Sequence, residues 1–196
     1  MPPTPDDDLL RTARLDLHRI SVPDLVRMFE APGSPEPWAG KPYANPHRVL
    51  MDDLGPLPWR VPVVRRDPAQ NRWFVRLIVR RDTGVVVGNI GFHGPPDERG
   101  MIEIGLEVTP SQRGRGFATE AVLGMWRWAV AQPGIAVLRW SVGPENDASI
   151  AIVESFGGRK VGEQMDEIDG RELVYELPAE EFRLRWSTGP GPRPPR

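Results

Sequence analysis

The stretch Met101–Ala121, MIEIGLEVTPSQRGRGFATEA, constrains the fold more than any other part of the chain. Ile102, Ile104, Leu106 and Val108 alternate with Met101, Glu103, Gly105 and Glu107. A period of two is the mark of a strand with one buried face. Thr109-Pro110-Ser111 ends it, because proline has no N–H to give to a ladder. Gln112-Arg113-Gly114-Arg115-Gly116-Phe117-Ala118 follows, and then a helix to about Ala131. The first N–H groups of a helix lack intrahelical partners and sit at the positive end of its dipole. Gly114 and Gly116 carry no side chain to hold a ligand off the backbone. With Arg113 and Arg115 beside them, this order makes an anion site of pyrophosphate size. For an isolated Gly-x-Gly the plainer reading is glycines that serve only the turn; strand, loop, two arginines and helix in succession favour the anion site. A P-loop is excluded, since no lysine follows the glycines; Lys41 and Lys160 are the only lysines in the chain. A dinucleotide fingerprint fits poorly, with Thr119 at the third glycine position and no βαβ unit ahead of it.

The flanking segments define the sheet around this unit. ARLDLHRI is a candidate first strand through Leu15 and Leu17, and Ser21 caps a short helix carrying Leu25, Val26, Met28 and Phe29. Pro32–Pro46 reads as a loop whose Trp38 and Tyr43 anchor it on the core or line a pocket. A second short helix is expected over His47–Leu54. Pro56–Pro68 is expected to be irregular, with Arg65-Arg66 in a solvated turn. Arg72–Arg81 and Val85–Phe92 form a hairpin about Asp82-Thr83-Gly84. Gly88 and Gly91 inside the second of these strands point to a bulge or a close backbone approach. Three strands joined by short turns make an antiparallel meander. The helix after the loop is apolar nearly all round and therefore buried. Ile135–Val142 is the next strand, and a strand–helix–strand crossover makes it parallel to the central one. Asn146 caps a helix ending at Gly157-Gly158. Arg159–Met165 and Arg171–Leu177 make a last hairpin around Asp169-Gly170. Residues 1–8 read as a disordered lead, 9–186 as one domain and 187–196 as a flexible tail.

Composition excludes several classes. The net charge of −2 over 196 residues gives no bias toward nucleic acid or membrane. No cysteine is present, so there is no disulfide framework and no thiol nucleophile. MPPTPDDDLL is the opposite of a signal peptide, and no apolar run approaches spanning length. A soluble cytoplasmic protein without a metal is expected.

The pattern Arg113-x-x-Gly116-x-Ala118 resembles the acyl-CoA pyrophosphate loop of the GNAT (GCN5-related) N-acetyltransferases. The wider string, EIG before the loop and GRGFATEA through it, resembles the branch that includes the ribosomal-protein N-terminal acetyltransferases. Asn146-x-x-Ser149 before a helix also matches the family, although Gly158 stands where it usually has phenylalanine. The resemblance runs from Leu15 to Leu177. It implies an α/β (α+β) GNAT fold, a mixed and mostly antiparallel sheet flanked by helices and splayed between the central strand and the following parallel one. Acyl-CoA, most simply acetyl-CoA, would lie in the opening. Its pyrophosphate would rest on the N–H groups of Arg113, Gly114, Arg115, Gly116, Phe117, Ala118 and Thr119. Its pantetheine arm would pair with Leu106–Val108, an N–H there serving as oxyanion donor, and Asn146 would hold the pantetheine amide.

Direct transfer to an amine needs a base and a proton for the departing thiolate. Glu103 is the preferred base, sharing a strand face with Glu107, which reads as solvent-side. His93 is the alternative base. Ser149 is the candidate donor to sulfur, ahead of Tyr175; Glu120 in the first helical turn reads as structural. The resulting expectation is an N-acetyltransferase whose acceptor is a protein or peptide amine. A small-molecule N-acetyltransferase or succinyltransferase, and a non-catalytic acyl-CoA-binding module, are the competing readings. Trp126 and Trp128 are placed either in the core or at a homodimer contact.

Overall fold

The computed structural model describes residues 8–167 and 170–194. The expected lead (apart from Asp8), Asp169 of the last turn and the end of the tail lie outside them. Among the described residues eight strands are hydrogen-bonded in the order β1-β2-β3-β4-β5-β6-β8-β7. They are β1 (Leu9–Arg11), β2 (Leu15–Arg19), β3 (Arg76–Arg80), β4 (Val86–Phe92), β5 (Met101–Val108), β6 (Val137–Val142), β7 (Arg159–Asp166) and β8 (Gly170–Pro178). Among the described residues five α-helices accompany them: α1 (Val22–Glu30), α2 (Leu57–Arg66), α3 (Phe117–Val130), α4 (Asp147–Phe156) and α5 (Ala179–Trp186). This is the mixed, mostly antiparallel sheet with flanking helices that the sequence predicts. The chain divides into two compact units, one up to Gly91 with Leu106–Arg113, the other Phe92–Gly105 with Gly114–Arg196.

In the first unit, β1 to β4 pair antiparallel in succession. Ser21 caps α1, accepting from the Asp24 N–H and donating to the Asp24 carboxylate at 2.7 Å. Leu25 and Met28 join Leu57, Val61, Val64, Phe74 and Leu77 in one buried cluster. Trp38 and Tyr43 pack against that cluster, and Tyr43 meets the His18 ring at 4.9 Å. The long loop is thus anchored on the core.

Two expectations are overturned here. No helix forms over His47–Leu54: Arg48 and Leu50 both have positive φ, and the Asn45 side chain holds the Val49 backbone on both its N–H and its carbonyl. Conversely, the proline-rich segment expected to be irregular is α2. Proline at its first turn costs nothing, because that N–H has no partner in any helix. Pro62 inside the helix is tolerated because Leu57, Val61 and Val64 bury one stripe at helical spacing. Packing outweighs one missing backbone bond. The expected strand from Arg72 starts only at Arg76, after a 3-10 turn over Pro68–Trp73.

Both readings of the β4 glycines hold. The β3–β4 register slips between Ile78 and Val79, and a Cβ on Gly88 would sit 2.1 Å from the Glu107 carbonyl oxygen.

In the second unit, β5 pairs parallel with β6, β6 antiparallel with β8, and β8 antiparallel with β7. Trp126 of α3 is fully buried, edge-on to Phe156, Phe182 and Trp140 at 4.9, 5.8 and 6.4 Å. Trp128 stacks on Phe92. Both indoles therefore serve the core. Helix α5 is not expected from the sequence; its Phe182 completes that aromatic cluster and its Trp186 donates to the Phe156 carbonyl. Strand β1 is a second unexpected element. Gly158 has no room for phenylalanine: a Cβ there would lie 2.6 Å from the Val153 side chain. The tail beyond α5 is held as far as Gly189, whose carbonyl accepts from Arg127.

Candidate active site

The β5–β6 ladder is short. It covers Met101↔Val137, Ile102↔Leu138 and Glu103↔Arg139, although β5 runs on to Val108 and β6 to Val142. The backbone pairing of the two strands stops at Glu103, in line with the splayed sheet that the family resemblance implies. Alternation sends Ile102 and Ile104 into the core and leaves Glu103 and Gly105 on the opposite face, while Glu107 is exposed.

Glu103 is not a solvated carboxylate. Its side chain is only 14% exposed. The Ser141 hydroxyl donates to its Oε1 at 2.5 Å, and His93 Nδ1 lies 3.9 Å from the same oxygen. The His93 ring crosses Gly105, where a Cβ would come within 2.8 Å of Nε2. Glycine at this point of the strand makes room for the imidazole. Glu103 and His93, the two candidate bases, are therefore neighbours. Beside them, Arg139 and Arg99 converge on Glu176, at 2.6 and 3.1 Å. Burial alone would raise the Glu176 carboxyl; hydrogen bonds from Arg139 and Arg99 outweigh it and hold the group below its ordinary value.

The glycine loop leads directly into the first turn of α3. Gly114 and Gly116 have φ of 71° and 77°. Residues with a Cβ pay to adopt that left-handed conformation. Gly116 is the N-cap of α3, and no side chain caps the helix. A Cβ on Gly114 would meet nothing within 4 Å, so backbone and open space coincide. Arg113 and Arg115 are exposed, but Arg113 Nε already donates to the Val108 carbonyl at 2.8 Å. Phe117 and Thr119 are buried, so only their backbone is left for a ligand, whereas Ala118 is partly open. A helix start without a side-chain cap, two left-handed glycines and two arginines thus stand together in this loop. On the strand side, Leu106 is partly exposed and Val108 buried.

Asn146 caps α4 by accepting from the Ser149 N–H at 3.1 Å, and Ser149 is half-buried. Tyr175 is not aimed at solvent: its hydroxyl donates to Glu154 at 3.4 Å, and burial, with Glu154 adding to it, raises its pKa. Among the described residues no group of three His, Cys, Asp or Glu is placed to hold a metal. No helix among them is long and apolar enough to cross a membrane.

The family model of the acetyltransferase (GNAT) domain matches residues 13–159. The chain belongs to the GNAT acetyltransferase family. Among its relatives, the uncharacterized N-acetyltransferase YoaA of Bacillus subtilis is 31% identical over 79% of this chain and 84% of its own. The uncharacterized N-acetyltransferase YjdG of the same organism is 28% identical over 76% and 88%. In structure, an acetyltransferase from Agrobacterium tumefaciens is 26% identical, with a TM-score of 0.56 over 86% of this chain and 93% of that one. A Vibrio cholerae protein provisionally named a ribosomal-protein-serine acetyltransferase has a TM-score of 0.59 at 17% identity, covering 89% and 99%. At that identity the likeness is one of fold. This protein is thus a GNAT acetyltransferase, and acetyl-CoA is the acyl donor of that family.

Ser141, Arg139 and Glu176 belong to the candidate site, and the sequence reading does not single them out. All three sit on β6 and β8, outside the strand–loop–helix stretch. The signal is present in the alternation of IAVLRWSV, which sends Arg139 and Ser141 to the face opposite Leu138, Trp140 and Val142.

Proposed function

We propose that this GNAT protein transfers an acetyl group from acetyl-CoA to a primary amine by direct attack in a ternary complex, the acceptor being the amine of a protein or peptide. Acetyl-CoA supplies the activated acyl group. Glu103 takes the proton of the incoming ammonium, directly or through water. Ser149 gives a proton or a hydrogen bond to the departing sulfur. Asn146, whose Oδ1 is spent on the Ser149 N–H, offers its Nδ2 to the pantetheine. Arg113 to Thr119 cradle the pyrophosphate by backbone N–H groups, with the terminal nitrogens of Arg113 and Arg115 adding charge. Leu106 and Val108 offer backbone to the pantetheine arm and the acyl carbonyl.

The observation that carries this reading is the Glu103 carboxylate, shielded from solvent at the point where β5 and β6 stop pairing. The peptide acceptor is supported by the resemblance of the loop and its flanks to the ribosomal-protein branch. A polycation such as spermidine would favour a dense acidic wall, and the segment 32–67 has none.

The test compares the wild type with Glu103→Gln. Thermal unfolding with and without acetyl-CoA reads donor binding, which at a hundredfold excess over Kd adds about 2.7 kcal/mol of stability. CoA release, followed with a thiol reagent, reads turnover without background, since the chain has no cysteine. The acceptors are a peptide with a free α-amine, free lysine and spermidine. Equal stabilisation of both proteins, turnover only in the wild type and preference for the peptide are expected. Full turnover by Glu103→Gln removes the base assignment; faster turnover of spermidine replaces the acceptor class.

A further inference from the structure

The face of the second unit that carries Glu103 is spanned by a chain of side-chain hydrogen bonds whose direction is fixed from one end. On β8, Glu172 accepts from Gln164 Nε2 of β7 at 2.8 Å. An ionised carboxylate only accepts, so this contact decides which end of the Gln164 amide is the NH2. The same Nε2 reaches Ser141 Oγ of β6 at 3.2 Å. An amide nitrogen only donates, so at this contact Ser141 accepts. Its single hydroxyl proton is therefore directed to its other partner, Glu103 Oε1 of β5, at 2.5 Å. Each link leaves the next one no choice.

The position of the last link matters as much as its direction. The backbone ladder between β5 and β6 ends at Glu103↔Arg139, and Ser141 lies two residues further along β6. The Ser141–Glu103 bond therefore joins the two strands by side chains where backbone pairing has stopped. It occupies one oxygen of the carboxylate and leaves the other for a reacting group.

We propose that Ser141 is a positioning residue for Glu103, held in its donor role by Gln164, so that the carboxylate presents its second oxygen as the proton acceptor. The inference rests on the reading of Glu103 as the base. A hydrogen bond to an ionised group is among the stronger kinds, so its loss costs roughly tenfold or more in rate if the carboxylate must stay aimed.

Ser141→Val and Ser141→Thr make the decisive pair. They have nearly the same shape and both suit a strand, and only threonine keeps the hydroxyl. Two readouts are taken on the full chain. The first is the infrared carboxylate stretch of Glu103, isolated as the difference from Glu103→Gln, which responds to a hydrogen bond on the oxygen and needs no acceptor. The second is turnover with acetyl-CoA and the peptide amine. The band is expected to move in Ser141→Val and to return in Ser141→Thr. Turnover is expected to fall at least about tenfold in kcat in Ser141→Val, with the KM for acetyl-CoA unchanged, and to be largely recovered in Ser141→Thr. A band that stays put in Ser141→Val, or valine and threonine variants that behave alike in both readouts, overturns the inference. Glu103→Gln separates the two failures. If it abolishes turnover while the Ser141 pair is alike, only the positioning role falls. If it retains full turnover, the base reading falls and takes the positioning role with it.

Discussion

Gly88→Ala isolates the close approach of β4 to the end of β5. A Cβ at Gly88 would lie 2.1 Å from the Glu107 carbonyl oxygen and 3.1 Å from the Val108 Cα. Ordinary carbon–oxygen contact needs more than 3 Å, so something must move by about 1 Å. The obstacle is backbone and cannot swing aside as a side chain would. Thr109 N–H, just beyond, donates to the Val87 carbonyl at 2.9 Å, so the shift also strains a ladder bond. Overpacking a tight interior costs typically about 1–3 kcal/mol, and a backbone obstacle puts this site at the upper end. At about 3 kcal/mol, Tm falls by roughly 6–12 °C in a chain of this size. Gly94→Ala is the control, since a Cβ there meets nothing within 4 Å and its effect should stay within about 1 kcal/mol. Thermal and urea unfolding of the two variants side by side measure the difference. Equal midpoints for the two variants would refute the argument that the bulged strand leaves no room for a methyl group.

Two further outcomes are expected. Gly116→Ala should cost about 1–2 kcal/mol of stability, because its φ of 77° is left-handed, and should also shrink the stabilisation by acetyl-CoA; an undiminished ligand shift would argue against phosphate contact at this N-terminus. The second concerns pH. Burial alone would raise the Asp24 carboxyl, but hydrogen bonds from Lys41, at 2.6 Å, and Ser21 outweigh it and hold the group below its ordinary value of 3.8. A carboxyl depressed in the folded state contributes stability above its unfolded value and loses it as pH falls through the folded one. Lys41→Met should therefore cost about 1–2 kcal/mol near pH 7, and the gap to the wild type should close below about pH 4. A gap that persists unchanged at pH 2 in the folded proteins would show that Lys41 acts by packing.

The parts that were legible in the sequence are those where one signal had no competitor. The alternation of MIEIGLEV, the glycines after it and the apolar helix that follows each admit one local structure, so β5, the loop and α3 were readable to within a residue or two. Asn146 and Ser21 were readable as caps because a short polar side chain before an apolar run has a direct use there. The failures came where local and tertiary preferences conflict. The four prolines at 56, 58, 62 and 68 argue against a helix, and only the burial of Leu57, Val61 and Val64 tips the balance toward one. His47–Leu54 has helical composition, yet Arg48 and Leu50 take left-handed backbone.

The candidate site divides in the same way. Glu103 and His93 could be picked out singly from residue type and strand position. That they lie side by side, over a glycine that makes room for the imidazole, depends on strand pairing. Ser141, Gln164 and Glu172 lie 38 or more residues from Glu103 along the chain, and no spacing rule connects them. The sequence by itself determined the strand, the turn and the helix start, because helix termini and glycine conformations are local properties of a few consecutive residues. Only the tertiary structure decided which hydroxyl faces the carboxylate, because hydrogen bonds between strands depend on register, and register is set by how the whole sheet packs.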